Sequence, residues 1–184
     1  MMTLKDKIDL WLKGIGLVLA AVGFAWGLVQ FADVLHQRRV TQTLNYVERY
    51  GKDGLLGARI DLGKAWLTAR AQLEQLRAAS VDPARFERRH RQLVFSVLNS
   101  LPGGNRADLE QDVSLLISFF DELAICVRSK LCDKKSAQDF FQPEARSFYC
   151  LYKPYADFMA NSYAETYGVG VKELAGTGSD NCYK

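Results

Sequence analysis

An apolar run near the amino terminus limits what this chain can fold into. It reads GIGLVLAAVGFAWGLVQFA, from Gly14 to Ala32, and Gln30 is its only polar residue. As an α-helix the run would be about 28 Å long, close to the ~30 Å hydrocarbon core of a bilayer. A secretory signal peptide usually has a shorter apolar region before a cleavage site, whereas this run continues into QFADVLHQRR. The sequence therefore predicts a retained transmembrane helix over residues 14–33, after a short segment 1–13.

Basic residues on both sides of the run bear on its orientation. Three lysines precede it, and Arg38, Arg39, Arg49 and Lys52 follow it. We expect Arg38 and Arg39 to contact lipid headgroups, since each basic residue near an anionic leaflet gains about 1 kcal/mol. The numbers of basic residues on the two sides are nearly equal, and the adjacent arginines favour the carboxyl side. The positive-inside rule therefore predicts an inner membrane protein with a cytoplasmic carboxyl-terminal domain.

Four small residues share one face of the predicted membrane helix. Gly16, Ala20, Gly23 and Gly27 recur at i, i+4, i+7 and i+11, and the last two form a G-x-x-x-G pair. Small residues let a second helix approach closely within a bilayer. The face is predicted to pack against another span, in a homodimer or in a different membrane protein.

The remainder of the chain shows helical spacing of apolar residues. The membrane helix is predicted to continue as a stalk to Tyr50, where Gly51 ends it. Asp82 and Pro83 suit the N-cap and first position of a later helix. Pro154 is expected to kink or split the last long helix. The predicted fold is all-α: the membrane helix and stalk, then a bundle of about four to five helices over residues 34–167, and a flexible tail over 168–184.

The stretch FFDELAICVRSKLCD, residues 119–133, combines carboxylates, cysteines and an arginine. Asp121 and Glu122 are adjacent, so they point about 100° apart on a helix and cannot form a close catalytic pair. One is expected in solvent and the other at the edge of the core, paired with an arginine of another helix. The stretch is therefore interpreted as a packing helix.

The four cysteines offer no metal-binding spacing. Cys126 and Cys132 are six residues apart, Cys150 and Cys182 follow later, and both histidines are distant. A zinc site needs four well-spaced ligands, so neither a metal nor another cofactor is predicted. In a cytoplasmic domain all four thiols should be reduced. The alternative is an extracytoplasmic domain with a disulfide, for which Cys132 with Cys150 is the pairing that would connect neighbouring helices.

One short pattern suggests an alternative activity. Arg85 and His90 form an R-x-x-x-x-H arrangement that resembles the motif of the helical HEPN ribonucleases, whose members cleave RNA as dimers. Phe86 stands where that motif normally has a polar residue. The alternative function is a membrane-tethered ribonuclease, and the competing interpretation is a solvated basic helix face. The net charge is only +3, which does not favour nucleic acid as a partner.

Several segments together resemble an uncharacterised family of bacterial single-span membrane proteins. They are QFADVLHQRR after the span, TQTLNYVERY, LLISFFDELAICVRSKLCD and FFQPEARSFYCLYKPYADF. The resemblance implies a small helical cytoplasmic domain and supplies no activity. With no catalytic motif recognised, the sequence predicts a non-catalytic scaffold or sensor that binds a protein partner at the membrane.

Overall fold

The computed structural model describes residues 4–79, 82–99, 106–176 and 182 of the chain, and most of these residues lie in α-helices. The helices are α1 (Leu4–Tyr50), α2 (Asp53–Ala79), α3 (Pro83–Asn99), α4 (Arg106–Arg128), α5 (Lys134–Ser162) and α6 (Val169–Ala175). Within these residues there is no strand. The predicted all-α class is confirmed, and within residues 34–167, where a bundle of about four to five helices was predicted, the structure has the four helices α2 to α5.

The chain divides into two compact units, residues 1–39 and 40–184. In the first unit, large apolar side chains of α1 are in solvent; Leu17, Phe24, Trp26 and Phe31 are 63 to 75% exposed. Among the described residues, no helix is long and apolar enough to cross a membrane. The structure thus confirms a helix over residues 14–33 but gives no support to its crossing a bilayer.

Two adjacent phenylalanines of α4 organise the core of the second unit. Phe119 and Phe120 are almost fully buried. The ring of Tyr50, the last residue of α1, lies 5.1 Å from that of Phe119, and the ring of Phe141 in α5 lies 5.6 Å from it. Offset and edge-on ring contacts of this kind add to the free energy of simple burial. They attach the end of α1 and the first half of α5 to α4.

The predicted end of α1 and the predicted start of α3 are confirmed. Helix α1 ends at Tyr50, and α3 begins at Pro83. The Asp82 carboxylate accepts a hydrogen bond from the Ala84 backbone N–H at 3.0 Å, as an N-cap does. Asp133 caps α5 in the same way, accepting from the Ser136 N–H at 2.8 Å. These short polar side chains satisfy N–H groups that have no partner within their own helices.

Helix α5 continues through Pro143 and Pro154, so the predicted split at Pro154 does not occur. A proline inside a helix removes one backbone hydrogen bond and costs about 3 kcal/mol. Burial on both sides of the prolines offsets that cost: Phe141, Tyr149 and Tyr155 are at most 5% exposed. Tertiary packing therefore maintains a helix that local sequence disfavours.

The first part of the segment 168–184 is helical, whereas a flexible tail was predicted there. Residues 169–175 form the short helix α6, which packs against α4 and α5. Val171, Leu174 and Ala175 are buried within the core. Residues 177–181, 183 and 184 lie outside the described part of the chain.

Candidate functional site

The stretch that combines carboxylates and cysteines has a structural role for each carboxylate. Asp121 accepts hydrogen bonds from the backbone N–H groups of Gly168, Gly170 and Val171, at 2.9, 2.7 and 3.1 Å. Glu122 is exposed and forms an ion pair with Arg49 at 2.7 Å. One carboxylate in solvent and one at the edge of the core is the predicted arrangement. The arginine was expected to pair with the carboxylate at the edge of the core, but it pairs with the exposed Glu122 instead. Burial raises the pKa of Asp121, although the three N–H donors oppose this shift.

All four cysteines are paired in disulfides. Cys126 bonds to Cys132 across the end of α4, and Cys150 of α5 bonds to Cys182. The pairing between Cys132 and Cys150 considered from the sequence is therefore wrong, because each has another partner. Reduced thiols, expected for a cytoplasmic domain, are likewise not what the structure shows. No cluster of three or more metal-ligating side chains occurs in the described residues.

The structure separates the two residues of the ribonuclease alternative. Arg85 is exposed on α3, whereas His90 is only 2% exposed. Burial, with the nearby charges of Arg77 and Lys153, lowers the pKa of His90 to about 4. A buried neutral imidazole facing the core does not reach RNA at the surface. The arrangement favours the interpretation of α3 as a helix with one basic solvated face, although His90 lies on the buried side.

The residues predicted to contact membrane or a second span lie in the first unit. Gly23 and Gly27 are exposed, and a Cβ added at either would meet no atom within 4 Å. Gly16 and Ala20 belong to α1, but their side chains are outside the described part. Arg38 is exposed and Arg39 is half-buried. Span packing and headgroup contact stay predictions.

The second unit contains an open groove between α2 and α5. Its main cavity has a volume of about 370 Å³. This lies within the range of ~300–1,000 Å³ that is usual for ligand sites. Buried residues form its inner part, and Leu56 and Ile60, which are 39% and 48% exposed, form its outer part. The lining is Tyr50, Leu56, Arg59, Ile60, Leu62, Gly63, Trp66, Leu116, Glu144, Phe148, Leu151 and Tyr152.

One end of this groove is polar. The Arg59 guanidinium lies 4.2 Å from the centre of the Tyr50 ring, and one of its terminal nitrogens lies 3.5 Å from Glu144. The Tyr50 hydroxyl donates to the same Glu144 oxygen at 3.1 Å. Burial, together with the Glu144 charge, raises the pKa of Tyr50, so the phenol stays protonated and acts as a donor. The Arg59 Nε atom is buried and has no hydrogen-bond partner among the described residues.

A second, smaller cavity of about 200 Å³ extends the groove along α2. It shares Gly63, Trp66 and Leu151 with the main cavity. The Trp66 indole N–H donates to the Tyr152 hydroxyl at 2.7 Å, which fixes the aromatic wall between the two helices. Because they share these residues, the two cavities are adjacent, and together they make a mainly apolar site.

A stripe of exposed apolar residues on α2 borders the groove. We call Leu56, Ile60 and Leu67 the α2 stripe; the last is 69% exposed, and together with Gly63 they occupy positions i, i+4, i+7 and i+11. This face was not identified from the sequence. The signal was present as a second set of large aliphatic residues at helical spacing. Arg59 and Glu144 carried no comparable signal, since they are 85 residues apart.

Comparisons with protein-family models, curated proteins and solved structures found no significant match. The resemblance to the bacterial single-span family stays a prediction, as does the two-residue resemblance to HEPN ribonucleases.

Proposed function

We propose that this chain is a membrane-anchored helical module that binds a protein partner through the α2 stripe. The observation that carries the proposal is the stripe itself, three large aliphatic side chains in solvent on one face of a well-packed helix. Exposed apolar residues scattered singly are ordinary, but a contiguous face beside a groove is typical of a binding surface.

The spacing of the stripe suits an α-helix of the partner. Residues at i, i+4, i+7 and i+11 lie along one line of a helix. Gly63 lies in that line, and a Cβ at this position would meet nothing within 4 Å. A partner helix can approach closely over Gly63 while Leu56, Ile60 and Leu67 pack around it, as in other helix-in-groove complexes.

The anchor in this proposal is the apolar run from Gly14 to Ala32. Its support is the length and composition of the run, together with the exposure of its described apolar side chains. Side chains of residues 14–16, 18 and 20 fall outside the described part of the chain. The small face at Gly23 and Gly27 is then available for a second span.

The two disulfides favour placing the helical domain on the oxidising side of the membrane. Disulfides persist in the periplasm and outside cells, whereas cytosolic thiols are kept reduced. This differs from the cytoplasmic placement expected from Arg38 and Arg39. The near-even distribution of basic residues around the run permits either orientation. For a bacterial inner membrane protein, the domain would then face the periplasm.

Site-specific photocrosslinking in intact cells tests the proposal. A photoreactive amino acid at Leu67 should crosslink one discrete protein, and Leu67→Ser with the photoreactive residue at Ile60 should weaken that crosslink. The matched control is Gln72, an exposed residue that lies about 140° from Leu67 around the same helix. Equal crosslinking at Gln72 and Leu67, or none at Leu67, would contradict a partner at the stripe.

Topology is tested separately with a membrane-impermeant thiol reagent. We expect the four cysteines to resist labelling in intact cells until a membrane-impermeant reductant is added. Labelling that requires lysis but no reductant would place the domain in the cytoplasm with free thiols, and would exclude this part of the proposal.

A further inference from the structure

The turn that joins α4 to α5 is fixed by backbone hydrogen bonds and by a disulfide. The N–H groups of Leu131 and Cys132 donate to the Cys126 carbonyl at 3.0 and 3.1 Å. The N–H group of Lys130 donates to the Val127 carbonyl at 3.0 Å. This is the usual bonding pattern where a helix ends in a left-handed residue. Because the disulfide between Cys126 and Cys132 closes the same turn, its side chains are presented from a constrained backbone.

Two residues of this turn are unusual for its geometry. Lys130 has a φ of 58° and is the one described non-glycine residue with a positive φ, a conformation that favours glycine or asparagine. Leu131 occupies the position whose apolar side chain normally packs back against the helix, yet it is 64% exposed. The next residue, Cys132, is only 3% exposed. Packing within the domain therefore does not account for a leucine in solvent at this position.

Basic side chains lie on both sides of the exposed leucine. Lys130 precedes it, Lys134 and Lys135 follow it, and all three are exposed. The last two lie in the first turn of α5, where positive charge is unfavourable because the helix dipole is itself positive there. The carboxylate nearest to them in the sequence, that of Asp133, accepts hydrogen bonds from the Ser136 N–H and hydroxyl. The stability of α5 does not explain the lysines, whereas an anionic partner does.

The turn is bonded to the part of α1 that follows the proposed anchor. The Asp133 N–H donates to the Thr43 hydroxyl at 2.9 Å, and Thr43 is fully buried. Thr43 comes eleven residues after Ala32, the last residue of the apolar run. Eleven residues span about 16 Å as a helix and at most about 40 Å in any conformation. An anchor in a bilayer therefore keeps the turn close to the bilayer surface, whatever the arrangement of the two units.

A bilayer surface suits these side chains better than a protein does. A single exposed leucine needs a matching pocket in a protein partner, whereas the boundary between headgroups and acyl chains accepts it without one. Lysine stems cover apolar surface while their ammonium groups reach phosphates. Arg128, which precedes the turn, adds no net charge, because Glu173 lies 3.6 Å from it. The three lysines therefore give the surface around the leucine a positive charge.

We infer that the α4–α5 turn, residues 129–135, is a membrane-contact loop. Leu131 inserts at the boundary between headgroups and acyl chains, and Lys130, Lys134 and Lys135 bind the phosphates of anionic lipids in the leaflet that the domain faces. The inference rests on the proposed membrane anchor, which brings the turn to the bilayer, and it uses no residue of the α2 stripe. A second contact beside a single-helix anchor fixes the orientation of the domain at the surface.

Fluorescence of the purified full chain in nanodiscs tests the inference without a protein partner. An environment-sensitive fluorescent amino acid replaces Leu131, and spin-labelled lipids quench it when it enters the bilayer. Nanodiscs of phosphatidylcholine are compared with nanodiscs of an equal mixture of phosphatidylcholine and phosphatidylglycerol. The control position is Tyr163, which is 78% exposed and lies about 44 Å from Lys134 along α5.

We expect strong quenching at residue 131 in the anionic nanodiscs, weak quenching in the neutral ones and none at residue 163. Lys134→Gln should lower the ratio of quenched to unquenched probe about fivefold, which is the contribution of one basic residue near an anionic surface. Lys130→Gln, Lys134→Gln and Lys135→Gln together should move the probe into water. Equal quenching in neutral and anionic nanodiscs would contradict a role for the lysines.

The matched control removes the same charge elsewhere. Arg85→Gln, Arg88→Gln and Arg89→Gln change three exposed residues of α3 and should leave the quenching at residue 131 unchanged. An equal loss of quenching in both triple variants would mean that net charge, and not the turn, attracts the domain, and would overturn the inference.

Salt tests the charges without any substitution of the lysines. An increase from 0.1 M to 1 M shortens the Debye length from about 10 Å to about 3 Å, so quenching at residue 131 should fall strongly. Quenching that neither salt nor the lysine substitutions reduce would overturn the assigned role of the charges.

Failure of the inference can be distinguished from failure of the anchor. A chain that enters nanodiscs while residue 131 stays in water would overturn the inference and leave the anchor and the α2 stripe unaffected. A chain that does not enter nanodiscs would overturn the proposed anchor, and the inference with it. A photoreactive amino acid at residue 131 should crosslink lipid in intact cells. A protein adduct without a lipid adduct would mean that the turn is a protein contact instead.

Discussion

Asp121 and Gly170 are so close that a Cβ on residue 170 would lie 2.5 Å from the Asp121 Cα. The same position is 2.7 Å from an Asp121 carboxylate oxygen and 2.9 Å from the Cβ of Ala124. Backbone atoms cannot yield as a flexible side chain can, so α6 would have to move away from α4. We expect Gly170→Ala to lower the free energy of unfolding by about 1–3 kcal/mol, the usual cost of overpacking. Urea denaturation followed by circular dichroism measures it.

The control for Gly170 is Gly63→Ala. Position 63 is also helical, but its Cβ would meet no atom within 4 Å. Replacing an exposed helical glycine by alanine should raise stability by about 0.5–1 kcal/mol. If both variants changed stability in the same direction, the close contact of α6 with α4 would not be the cause.

Removal of the Asp121 carboxylate should release α6 from the bundle. Three backbone N–H groups donate to this side chain, and they belong to Gly168, Gly170 and Val171. Bonds to a charged acceptor contribute more than neutral ones. We expect Asp121→Ala to make these amides exchange with deuterium about 30-fold faster, a loss of about 2 kcal/mol in local stability. Glu122→Ala, which removes only an exposed ion pair, should leave exchange in α6 unchanged.

The sequence predicted the elements that are specified locally. Asp82 caps α3 where its position indicated, and α1 ends at Tyr50. These outcomes depend on neighbouring residues, so periodicity and capping rules are sufficient for them. The fold class follows from the same local information.

The features that the sequence did not reveal depend on distant residues. Helix α6 exists because Asp121 supplies acceptors to residues 47 to 50 positions later in the chain. The polar end of the groove joins Arg59 to Glu144 across 85 positions. The continuity of α5 through Pro154 depends on burial. Such pairings arise only when the helices pack, and no single segment encodes them.

The buried imidazole of His90 should make stability fall in mild acid. Its pKa is lowered to about 4 in the folded chain, against about 6.5 when unfolded, so the unfolded state binds the proton more readily. The stability it contributes is present above pH 6.5 and is lost as the pH falls towards 4. Between pH 7 and pH 5 the loss should be about 2 kcal/mol.

The measurement is urea denaturation at both pH values for the unmodified chain and for His90→Gln. The variant should lose about 2 kcal/mol less over this interval, whereas His36→Gln, at an exposed histidine of α1, should follow the unmodified chain. Parallel pH profiles for all three proteins would show that His90 is not a source of acid sensitivity. Such profiles would also mean that His90 is not a buried neutral group in the folded chain. The structural argument against the ribonuclease alternative would then no longer hold.

The two disulfides should differ in what they contribute to stability. Cys150 and Cys182 are 32 residues apart, whereas Cys126 and Cys132 are six apart. A longer loop loses more conformational freedom in the unfolded chain when it is closed, which gives about 3.7 against about 2.2 kcal/mol in the chain-entropy account. We expect the double variant Cys150→Ser with Cys182→Ser to be about 1.5 kcal/mol less stable than Cys126→Ala with Cys132→Ala. The alanines are chosen because both residues of the shorter loop are buried.

Urea denaturation measures the free energy of unfolding of each variant. Its difference from that of the fully reduced chain gives the contribution of the disulfide that the variant retains. A larger loss from the shorter loop would mean that packing at the end of α4, and not chain entropy, determines how the disulfides stabilise the domain.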